Sequence, residues 1–263
     1  MKLATWNVNS LKVRLPHLLE WLAAAPDVIC LQETKTEDEK FCRPEIEQAG
    51  YRCCFTGQKT YNGVAILSKF PLADVTRGLP ALTPEDEADD QARYIEAVAS
   101  LPGSALRVAS AYVPNGMDPA SSKFTYKLRF FERLRAHWAA QMGLHEAAVL
   151  GGDFNCAPAP LDVYDAPKLE GTVCYHPEER ARLRALMHLG FYDAFRVLHP
   201  ARAQFSWWDY RGGAYERGHG LRIDHLLLSA IAADGLQACE VDESPRRAEK
   251  PSDHAPMVAT LRV

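Results

Sequence analysis

A carboxylate and a carboxamide stand two residues apart, directly after an apolar run in the middle of the chain. The run covers 147–150 and leads through a pair of glycines, 151–152, into Asp153, Phe154 and Asn155. Continuous apolar character is typical of a strand covered on both faces, and glycines remove side chains where a backbone or a ligand must come close. Side chains two apart on an extended chain share a face, so Asp153 and Asn155 are predicted to face a polar site while Phe154 faces the core. An Asx-rich turn explains the same stretch equally well, so this stretch alone does not distinguish a functional site from an ordinary turn.

Further polar residues stand at the ends of other predicted strands. Asn7 ends a strand over 2–7, and Glu33 closes an apolar run over 28–31, as Asp153 closes its own run. Oxygen-rich ligands with little thiolate select hard cations such as Mg2+ or Mn2+ over zinc. Because Mg2+ commonly binds through one or two carboxylates and a substrate phosphate, the pattern predicts phosphate-ester chemistry. The residues of this set are Asn7, Glu33, Asp153, Asn155, Asp224, Asp253 and His254.

Strands, separated by a few helices, must position these residues. Helical spacing predicts helices at about 15–22, with Pro16 in the first turn, at about 121–143 and over 177–189. Many strands with long, irregular connections favour sheets packed face to face with helices outside, in one domain, over a strictly alternating barrel. The predicted strands cover 2–7, 28–33, 63–67, 94–99, 106–113, 147–150, 221–228 and 257–263.

Composition limits the class of protein. The content of 47% hydrophobic and 24% charged residues is that of an ordinary globular protein, with no low-complexity segment. Seven cysteines, an odd number with no Cys-x-x-Cys, suit a reducing compartment and are expected to be mostly buried thiols. A strand-like pattern from the first residues and the lack of a long apolar run predict a cytoplasmic protein that does not bind membranes.

The net charge of −4 argues against a protein that merely coats nucleic acid. It does not exclude a nucleic-acid enzyme, because carboxylates that hold a metal lower the net charge while a local basic face meets phosphates. The acidic run 85–90 contributes much of the imbalance and is predicted to be a solvated loop.

A series of short motifs covers the chain from about Met1 to the C-terminus. They are Thr5–Ser10, Leu31–Lys35, Asn62–Leu67, Gly152–Asn155, Leu221–Asp224 and Ser252–Pro256. In this order they resemble the motifs of the exonuclease III family of DNA-repair nucleases, which belongs to the endonuclease/exonuclease/phosphatase superfamily. The Glu, Asp-x-Asn and Ser-Asp-His elements are common to the superfamily. The segments 205–211, 222–224 and 250–251 narrow the resemblance to the bacterial exonuclease III family.

The resemblance implies an α/β fold: a four-layer α/β sandwich of two packed mixed sheets flanked by helices, forming one catalytic domain over 1–263. The site would lie at one end of the two sheets and use Mg2+ or Mn2+. Glu33 would be the principal metal ligand, supported by Asn7 and Asp253. Asp153, Asn155 and His254 complete the set of candidate metal ligands.

The resemblance also implies roles in hydrolysis. Asp153 would orient or deprotonate the attacking water, and Asn155 would position the water and the phosphate. His254, held by Asp224, would bind a nonbridging phosphate oxygen, and Tyr112 would act near the attacked phosphorus. These roles agree with general chemistry, since in-line attack on a phosphodiester builds negative charge that a metal and an imidazolium offset, while a carboxylate accepts the proton of the water.

Substrate contacts follow from the same resemblance, each with a plainer alternative. Trp207, Leu221 and Ile223 would wall a pocket for a flipped-out, base-less sugar, although aromatic clusters are usually structural and Tyr112 would by default be a core residue. Asn115, in the same Tyr-x-Pro-Asn motif, is also predicted to bind substrate. Arg93, Lys123 and Lys127 would meet the DNA backbone, with solvated charge as the alternative at each. The histidines interpreted as surface or core residues are His137, His188 and His225.

Three functions are compatible with these patterns. The favoured one is a monomeric, divalent-metal-dependent nuclease on duplex DNA that cuts 5′ to abasic sites and removes nucleotides or blocking groups from recessed or blocked 3′ ends. The second is another phosphoesterase of the superfamily, acting on a lipid headgroup, an inositol phosphate or RNA. The third, a non-catalytic nucleic-acid binder, conflicts with a complete set of metal and proton-transfer residues.

Overall fold

The computed structural model describes residues 1–23, 26–83 and 89–262. Most of the predicted acidic loop, residues 85–88, lies outside the described residues. The helices are α1 Leu11–Leu22, α2 Arg43–Gln48, α3 Ser122–Met142, α4 Ala166–Leu169, α5 Pro177–Met187, α6 Ala194–Leu198 and α7 Ala230–Ala233. The strands are β1 Lys2–Asn7, β2 Val28–Gln32, β3 Arg52–Thr56, β4 Val64–Ser68, β5 Leu72–Arg77, β6 Tyr94–Leu101, β7 Ser104–Tyr112, β8 Ala148–Asp153, β9 Tyr192–Asp193, β10 Trp207–Trp208, β11 Gly220–Leu221, β12 Asp224–Leu228, β13 Leu236–Val241 and β14 Met257–Leu261.

Two six-stranded mixed sheets form the middle of the fold. The first has the order β13-β14-β1-β2-β4-β3, and the second has the order β5-β6-β7-β8-β12-β9. Each sheet contains a central parallel pair, β1 with β2 and β7 with β8. The carboxyl ends of two parallel neighbours meet at the same edge of a sheet, so each sheet presents the residues that follow two central strands at one edge.

The two sheets pack face to face, and helices cover their outer faces. Leu3 and Ile66 of the first sheet share one buried cluster with Val108 and Val149 of the second. On the outside of the first sheet, residues of α1 and α2 pack on β1, β2 and β4, and on the outside of the second, residues of α3 and α5 pack on β7 and β8. The predicted four-layer sandwich is confirmed.

The long predicted helix begins and ends as expected. The side chain of Ser121 accepts a hydrogen bond from the backbone N–H of Phe124, which caps α3, and the helix ends before Gly143. The first helix differs from the prediction, because it begins at Leu11 and so places Pro16 inside it rather than in its first turn. None of the helices in the described part of the chain is long and apolar enough to cross a bilayer.

Apart from β10 in the two-stranded ribbon, the strands that were not predicted from sequence are the outermost ones of the two sheets. The strands β13, β3, β5 and β9 form the edges of the two sheets, and their side chains are largely exposed or half-buried. An edge strand therefore lacks the continuous apolar run that marks a central strand. The cysteines agree with the prediction, since five of the seven are buried and all are free.

The predicted strand 221–228 is divided in two by a buried arginine. Its first part, β11, pairs with β10 in a separate two-stranded ribbon, while β12 joins the second sheet. Between them, the fully buried Arg222 donates from Nε to Asp162 Oδ1 at 2.7 Å and from Nη2 to Asp193 Oδ2 at 2.8 Å. Its Nη1 also lies 2.9 Å from His225 Nδ1, so His225 is a partnered core residue, as predicted.

Removing the cation from this buried network is expected to destabilise the fold strongly. Arg222→Met retains an elongated side chain but leaves Asp162 and Asp193 without the guanidinium they share, and the loss of one partner of a buried ion pair typically costs about 3–5 kcal/mol. Urea unfolding followed by circular dichroism measures the change.

Arg211→Met is the matched control, because the Arg211 side chain is 93% exposed. It is expected to change the free energy of unfolding by less than about 0.5 kcal/mol. Equal stability of the two variants would contradict the role given to Arg222.

Candidate active site

Three polar residues stand side by side on neighbouring strands of the second sheet. Tyr112 is in register with Asp153 across the parallel pair β7–β8, and Asp224 is opposite Asp153 across the antiparallel pair β8–β12. A Cβ atom on Gly152 would lie 2.1 Å from the carbonyl oxygen of Ala111, so only glycine allows β7 to approach β8 here. The glycine before Asp153 thus serves the close backbone approach that the sequence predicts.

The first sheet contributes Asn7 and Glu33 at the same end of the sandwich. Asn7 is in register with Gln32, the last residue of β2, and Glu33 follows with a left-handed φ of 52°. Glu33 Oε1 accepts hydrogen bonds from Asn7 Nδ2 and from the hydroxyl of Tyr112, both at 2.9 Å. Glu33 Oε2 pairs with Lys35 Nζ at 2.7 Å. The Tyr112 hydroxyl therefore joins the polar ends of the two sheets directly.

Asn7 aligns two carboxylates. Besides its bond to Glu33, its Nδ2 donates to Asp153 Oδ2 at 2.9 Å, while its Oδ1 accepts the backbone N–H of Asn9 at 3.0 Å. The amide nitrogen, and not the oxygen, faces the carboxylates. The structure thus gives Asn7 a positioning role, and its role as a metal ligand stays a prediction.

His254 lies between two buried carboxylates. Its Nδ1 lies 2.9 Å from Asp224 Oδ2, and its Nε2 lies 3.8 Å from Asp153 Oδ2. Burial would lower the pKa of His254, but Asp224 and Asp153 outweigh it and raise that pKa to about 10. Burial also raises the pKa of Asp153, with Asp224 adding to the rise and His254 opposing it. His254 therefore carries the positive charge of this group near neutral pH.

The donor set at this edge suits a divalent cation. Glu33, Asp153 and His254 offer ligand atoms that all lie within 4.8 Å of one another. Burial would raise the pKa of Glu33, but Lys35, Asn7 and His254 together hold it below its ordinary value, so the carboxylate is ionised and able to bind a cation. Asp253 stands beside this group, with Oδ1 accepting from Asn9 Nδ2 and Oδ2 from Trp207 Nε1, both at 2.9 Å. Two carboxylates within reach of one ion form a site of the kind that Mg2+ and Mn2+ occupy.

Asn155 is held rigidly beside Asp153. Its backbone, at a left-handed φ of 47°, donates from N–H to Asp153 Oδ1 at 2.8 Å. Its Nδ2 donates to the carbonyl of Val113 at 3.0 Å, and its Oδ1 accepts from Asn115 Nδ2 at 3.0 Å. Phe154 is fully buried, so the structure has the alternation predicted for this stretch.

The polar group opens into a cavity of about 540 Å³. Glu33, Asp153 and His254 form one part of its lining. The residues predicted to wall a sugar pocket, Trp207, Leu221 and Ile223, also line it, because the β10–β11 ribbon pairs Trp207 with Leu221. Further lining residues that sequence analysis did not single out individually include Tyr164, Leu169, Val173, Cys174, Arg217 and His219.

Lys127 does not contact solvent, so its predicted contact with the DNA backbone is wrong. Its side chain is 0% exposed, and Nζ donates to the carbonyls of Asn115 at 2.9 Å and Asn155 at 2.7 Å and to Glu179 Oε1 at 2.6 Å. The physical reason is its place on α3, three residues after Phe124 and four before Phe131, on the helix face that packs inward. Lys127 lies beneath the site and supports it.

The other two cations are placed differently. Lys123 is exposed on the first turn of α3. Arg93 is half-buried, with its guanidinium 4.7 Å from the centre of the Tyr112 ring and its Nε bonded to Gln91 Oε1 at 2.7 Å. Contact of Lys123 or Arg93 with DNA stays a prediction.

Two serines that sequence reasoning missed complete the polar network. Ser206 Oγ donates to Asp224 Oδ2 at 2.6 Å, and it accepts the backbone N–H of Asp224 at 3.1 Å. Ser252 Oγ donates to the carbonyl of Asn7 at 2.7 Å and accepts the backbone N–H of His254 at 3.2 Å. Ser252 stands in the Ser-Asp-His motif and could have been noticed, whereas no sequence signal marks Ser206.

Proteins of known activity share this fold and much of this sequence. Residues 4–254 match the model of the Endonuclease/Exonuclease/phosphatase family. The chain is 36% identical to the exodeoxyribonuclease III of Haemophilus influenzae over 272 aligned residues that cover 100% of both chains. It is 43% identical to the 3′ phosphatase NExo from Neisseria, solved with a product DNA hairpin, with a TM-score of 0.95. An AP endonuclease from Archaeoglobus fulgidus gives a TM-score of 0.93 at 39% identity, and both structural matches cover 100% of each chain.

Loss of the buried lysine is expected to destabilise the protein. Lys127→Met leaves Glu179 buried without a cation and two carbonyls without a donor, so the free energy of unfolding should fall by about 3–5 kcal/mol. Denaturant unfolding measures this fall.

The matched control lies one turn away on the same helix. Lys123→Met removes an exposed charge and is expected to change the free energy of unfolding by less than about 0.5 kcal/mol. If Lys127→Met were as stable as Lys123→Met, the supporting role of Lys127 would be wrong.

Proposed function

The chain belongs to the exonuclease III branch of the endonuclease/exonuclease/phosphatase family, and we propose that it is a divalent-metal-dependent nuclease that repairs duplex DNA. It hydrolyses phosphodiesters 5′ to abasic sites and removes nucleotides and phosphate groups from 3′ ends. The whole chain, 1–263, forms the catalytic domain. The observation that carries the proposal is that Glu33, Asp153 and His254 line one cavity together with an apolar wall, and that Asp224 holds the ring of His254.

The names of the relatives support a DNA substrate. One is an exodeoxyribonuclease, one a 3′ phosphatase with bound product DNA, and one an AP endonuclease. All act on phosphate esters at or within DNA strands, so one site that directs the attack of water on phosphorus accounts for all three activities. Their differences lie in what is attached to the phosphate, and the cavity beside the carboxylates receives that part.

Glu33 would hold Mg2+ or Mn2+ in this proposal, supported by Asp153, Asp253 and Asn7. When bound, the ion would supply positive charge that offsets the charge developing on the phosphoryl oxygens. The pair of Glu33 with Lys35 keeps the carboxylate ionised before DNA arrives. Because Lys35 is placed at the same carboxylate, it also counters the acidic charge that would repel a phosphate.

Asp153 accepts the proton of the attacking water. Its raised pKa makes it a stronger base than an exposed aspartate, which suits proton transfer near neutral pH. The N–H of Asn155 and the Nδ2 of Asn7 hold its two oxygens in place. Asn155, fixed by Val113 and Asn115, positions the water and the phosphate.

His254 binds a nonbridging phosphate oxygen as an imidazolium. Asp224 orients its ring through Nδ1 and stabilises its charge, which leaves Nε2 to donate toward the cavity. The role of His254 as a metal ligand, which would use the same Nε2, stays a prediction. Ser206 in turn fixes the carboxylate of Asp224.

Tyr112 acts as a hydrogen-bond donor. Burial, together with Glu33 and Asp153, raises its pKa well above the ordinary value, so the phenol keeps its proton. The hydroxyl donates a hydrogen bond to Glu33 in this structure and can redirect that hydrogen bond to a phosphate oxygen when DNA binds. A cytoplasmic location and a monomeric state remain predictions of the sequence.

Incision of defined duplexes tests the function. One end-labelled duplex contains a single abasic site, and a matched one ends in a 3′-phosphate; each is incubated with Mg2+ or with EDTA. Cutting 5′ to the abasic site and release of phosphate, both abolished by EDTA, are expected. Activity at 3′ ends alone would restrict the enzyme to end cleaning, and no activity on either duplex would favour a lipid, inositol phosphate or RNA substrate.

Asp153→Asn isolates the proton acceptor. The amide keeps the shape of the side chain but cannot take a proton, so turnover at saturating DNA and metal should fall about 10²- to 10⁴-fold. Asp234→Asn, an exposed position that does not line the cavity, serves as the control and should turn over like the parent. Parental turnover by Asp153→Asn would refute the role given to Asp153.

A further inference from the structure

Two aromatic rings in the cavity have no part in the chemistry described so far. The rings of Tyr164 and His219 are stacked, with centroids 4.5 Å apart and planes 10° apart, and both residues line the cavity. Both side chains are only partly buried, so they are not ordinary core residues. The Lys168 ammonium lies 5.8 Å from the centre of the Tyr164 ring. A partly exposed stack inside a cavity offers a π-face to a planar ligand.

We propose that Tyr164 and His219 form a base-binding subsite, which takes up the nucleobase of a 3′-terminal nucleotide while the enzyme removes that nucleotide. The inference rests on the proposed nuclease function and specifies which part of the DNA occupies this part of the cavity.

The backbone holds the two rings together. The N–H of Tyr164 donates to the carbonyl of Gly220 at 3.1 Å, and Val163 pairs with Leu221 in an isolated bridge. The segment before α4 thus runs antiparallel to the segment that ends in β11. A Cβ atom on Gly220 would lie 2.5 Å from Trp208 Nε1, so this backbone packs directly on the aromatic ribbon. The subsite is therefore a fixed part of the cavity wall beside Leu221.

The stereochemistry of the reaction places a nucleotide in this cavity. The oxygen of water bonds to phosphorus, and the bond from phosphorus to the 3′ oxygen of the preceding nucleotide breaks. That oxygen takes up a proton and becomes the new 3′-hydroxyl, while the terminal nucleotide leaves with the phosphate on its 5′ carbon. The sugar and base of the departing nucleotide must therefore lie beyond the carboxylates, where a base-less sugar would lie during incision at an abasic site.

The size of the cavity agrees with this occupant. A volume of about 540 Å³ falls within the range of about 300–1,000 Å³ that is common for sites that enclose whole small molecules. Trp207, Leu221 and Ile223 wall the part suited to the sugar, which leaves the Tyr164–His219 stack for the base. Stacking of a base on aromatic rings accepts any base, because every base has a π-face. An exonuclease needs this tolerance.

The two 3′-end reactions differ in their use of this subsite, and the difference provides the test. Removal of a nucleotide places a base in the cavity, whereas hydrolysis of a 3′-phosphate places nothing beyond the phosphate. The measured quantity is the ratio of kcat/KM for removal of an unpaired 3′-terminal nucleotide to kcat/KM for hydrolysis of a 3′-phosphate on the same duplex. Because both reactions use the same carboxylates, a general loss of folding or catalysis leaves the ratio unchanged.

Tyr164→Leu and His219→Leu are each expected to lower this ratio about 5- to 100-fold, the range that loss of base–aromatic stacking produces. Tyr164→Phe keeps an aromatic ring at this position and should therefore have the same ratio as the parent protein. Tyr192→Leu, at an exposed tyrosine that does not line the cavity, is the control and should match the parent. A parental ratio in both leucine variants would overturn the proposal.

Absence of activity on all these duplexes would refute the proposed function itself, which distinguishes that failure from a failure of the subsite.

Discussion

The buried ion pair between Lys127 and Glu179 is the contact on which the site depends most. Lys127 Nζ uses its donors on Glu179 and on the carbonyls of Asn115 and Asn155, so it fixes the chain after β7 and after β8. Glu179 continues the network, since Oε1 accepts the N–H of Cys174 at 3.3 Å and Oε2 that of His176 at 3.2 Å. The ion pair thus connects the chain after β7, the chain after β8 and the loop around Cys174 into one rigid support beneath the site. A pair buried to this degree is costly to desolvate, and the hydrogen bonds that satisfy every donor of the lysine offset that cost.

The need for such support follows from backbone strain at the site. Glu33, Asn155 and Cys174 have left-handed φ values of 52°, 47° and 69°, and each residue of this kind costs about 1–3 kcal/mol relative to an ordinary conformation. Only surrounding structure that determines the backbone completely can hold several such residues. The register of β7 with β8 and the bonds to Lys127 do so on one side, and the parallel pair of β1 with β2 does so on the other. Strain and support together place the carboxylates before substrate arrives.

How far the sequence predicts this molecule depends on how deeply each element is buried. Central strands such as β2 and β8 are covered on both faces and carry continuous apolar runs, so both they and the polar residues at their ends could be found. The edge strands β3, β5, β9 and β13 carry no such run and were missed. Lys127 was wrongly predicted to contact DNA because that prediction gave its positive charge more weight than its position in the apolar stripe of α3. Tyr164 and His219 had no sequence signal, since only the pairing of two distant loops makes them neighbours.

The division between strands and loops also separates chemistry from specificity. Tyr112, Asp153 and Asp224 are fixed by strand register, and a change in their spacing would require the second sheet to be rebuilt. The cavity wall opposite them comes from the loop 160–176 and from the ribbon between 205 and 221, which can vary without disturbing the sheets. The reaction centre is thus held by the sheets, while the part of the cavity wall opposite it is built by loop side chains. A substitution in those loops can therefore change the shape of the cavity beside the carboxylates without moving the strands that hold them.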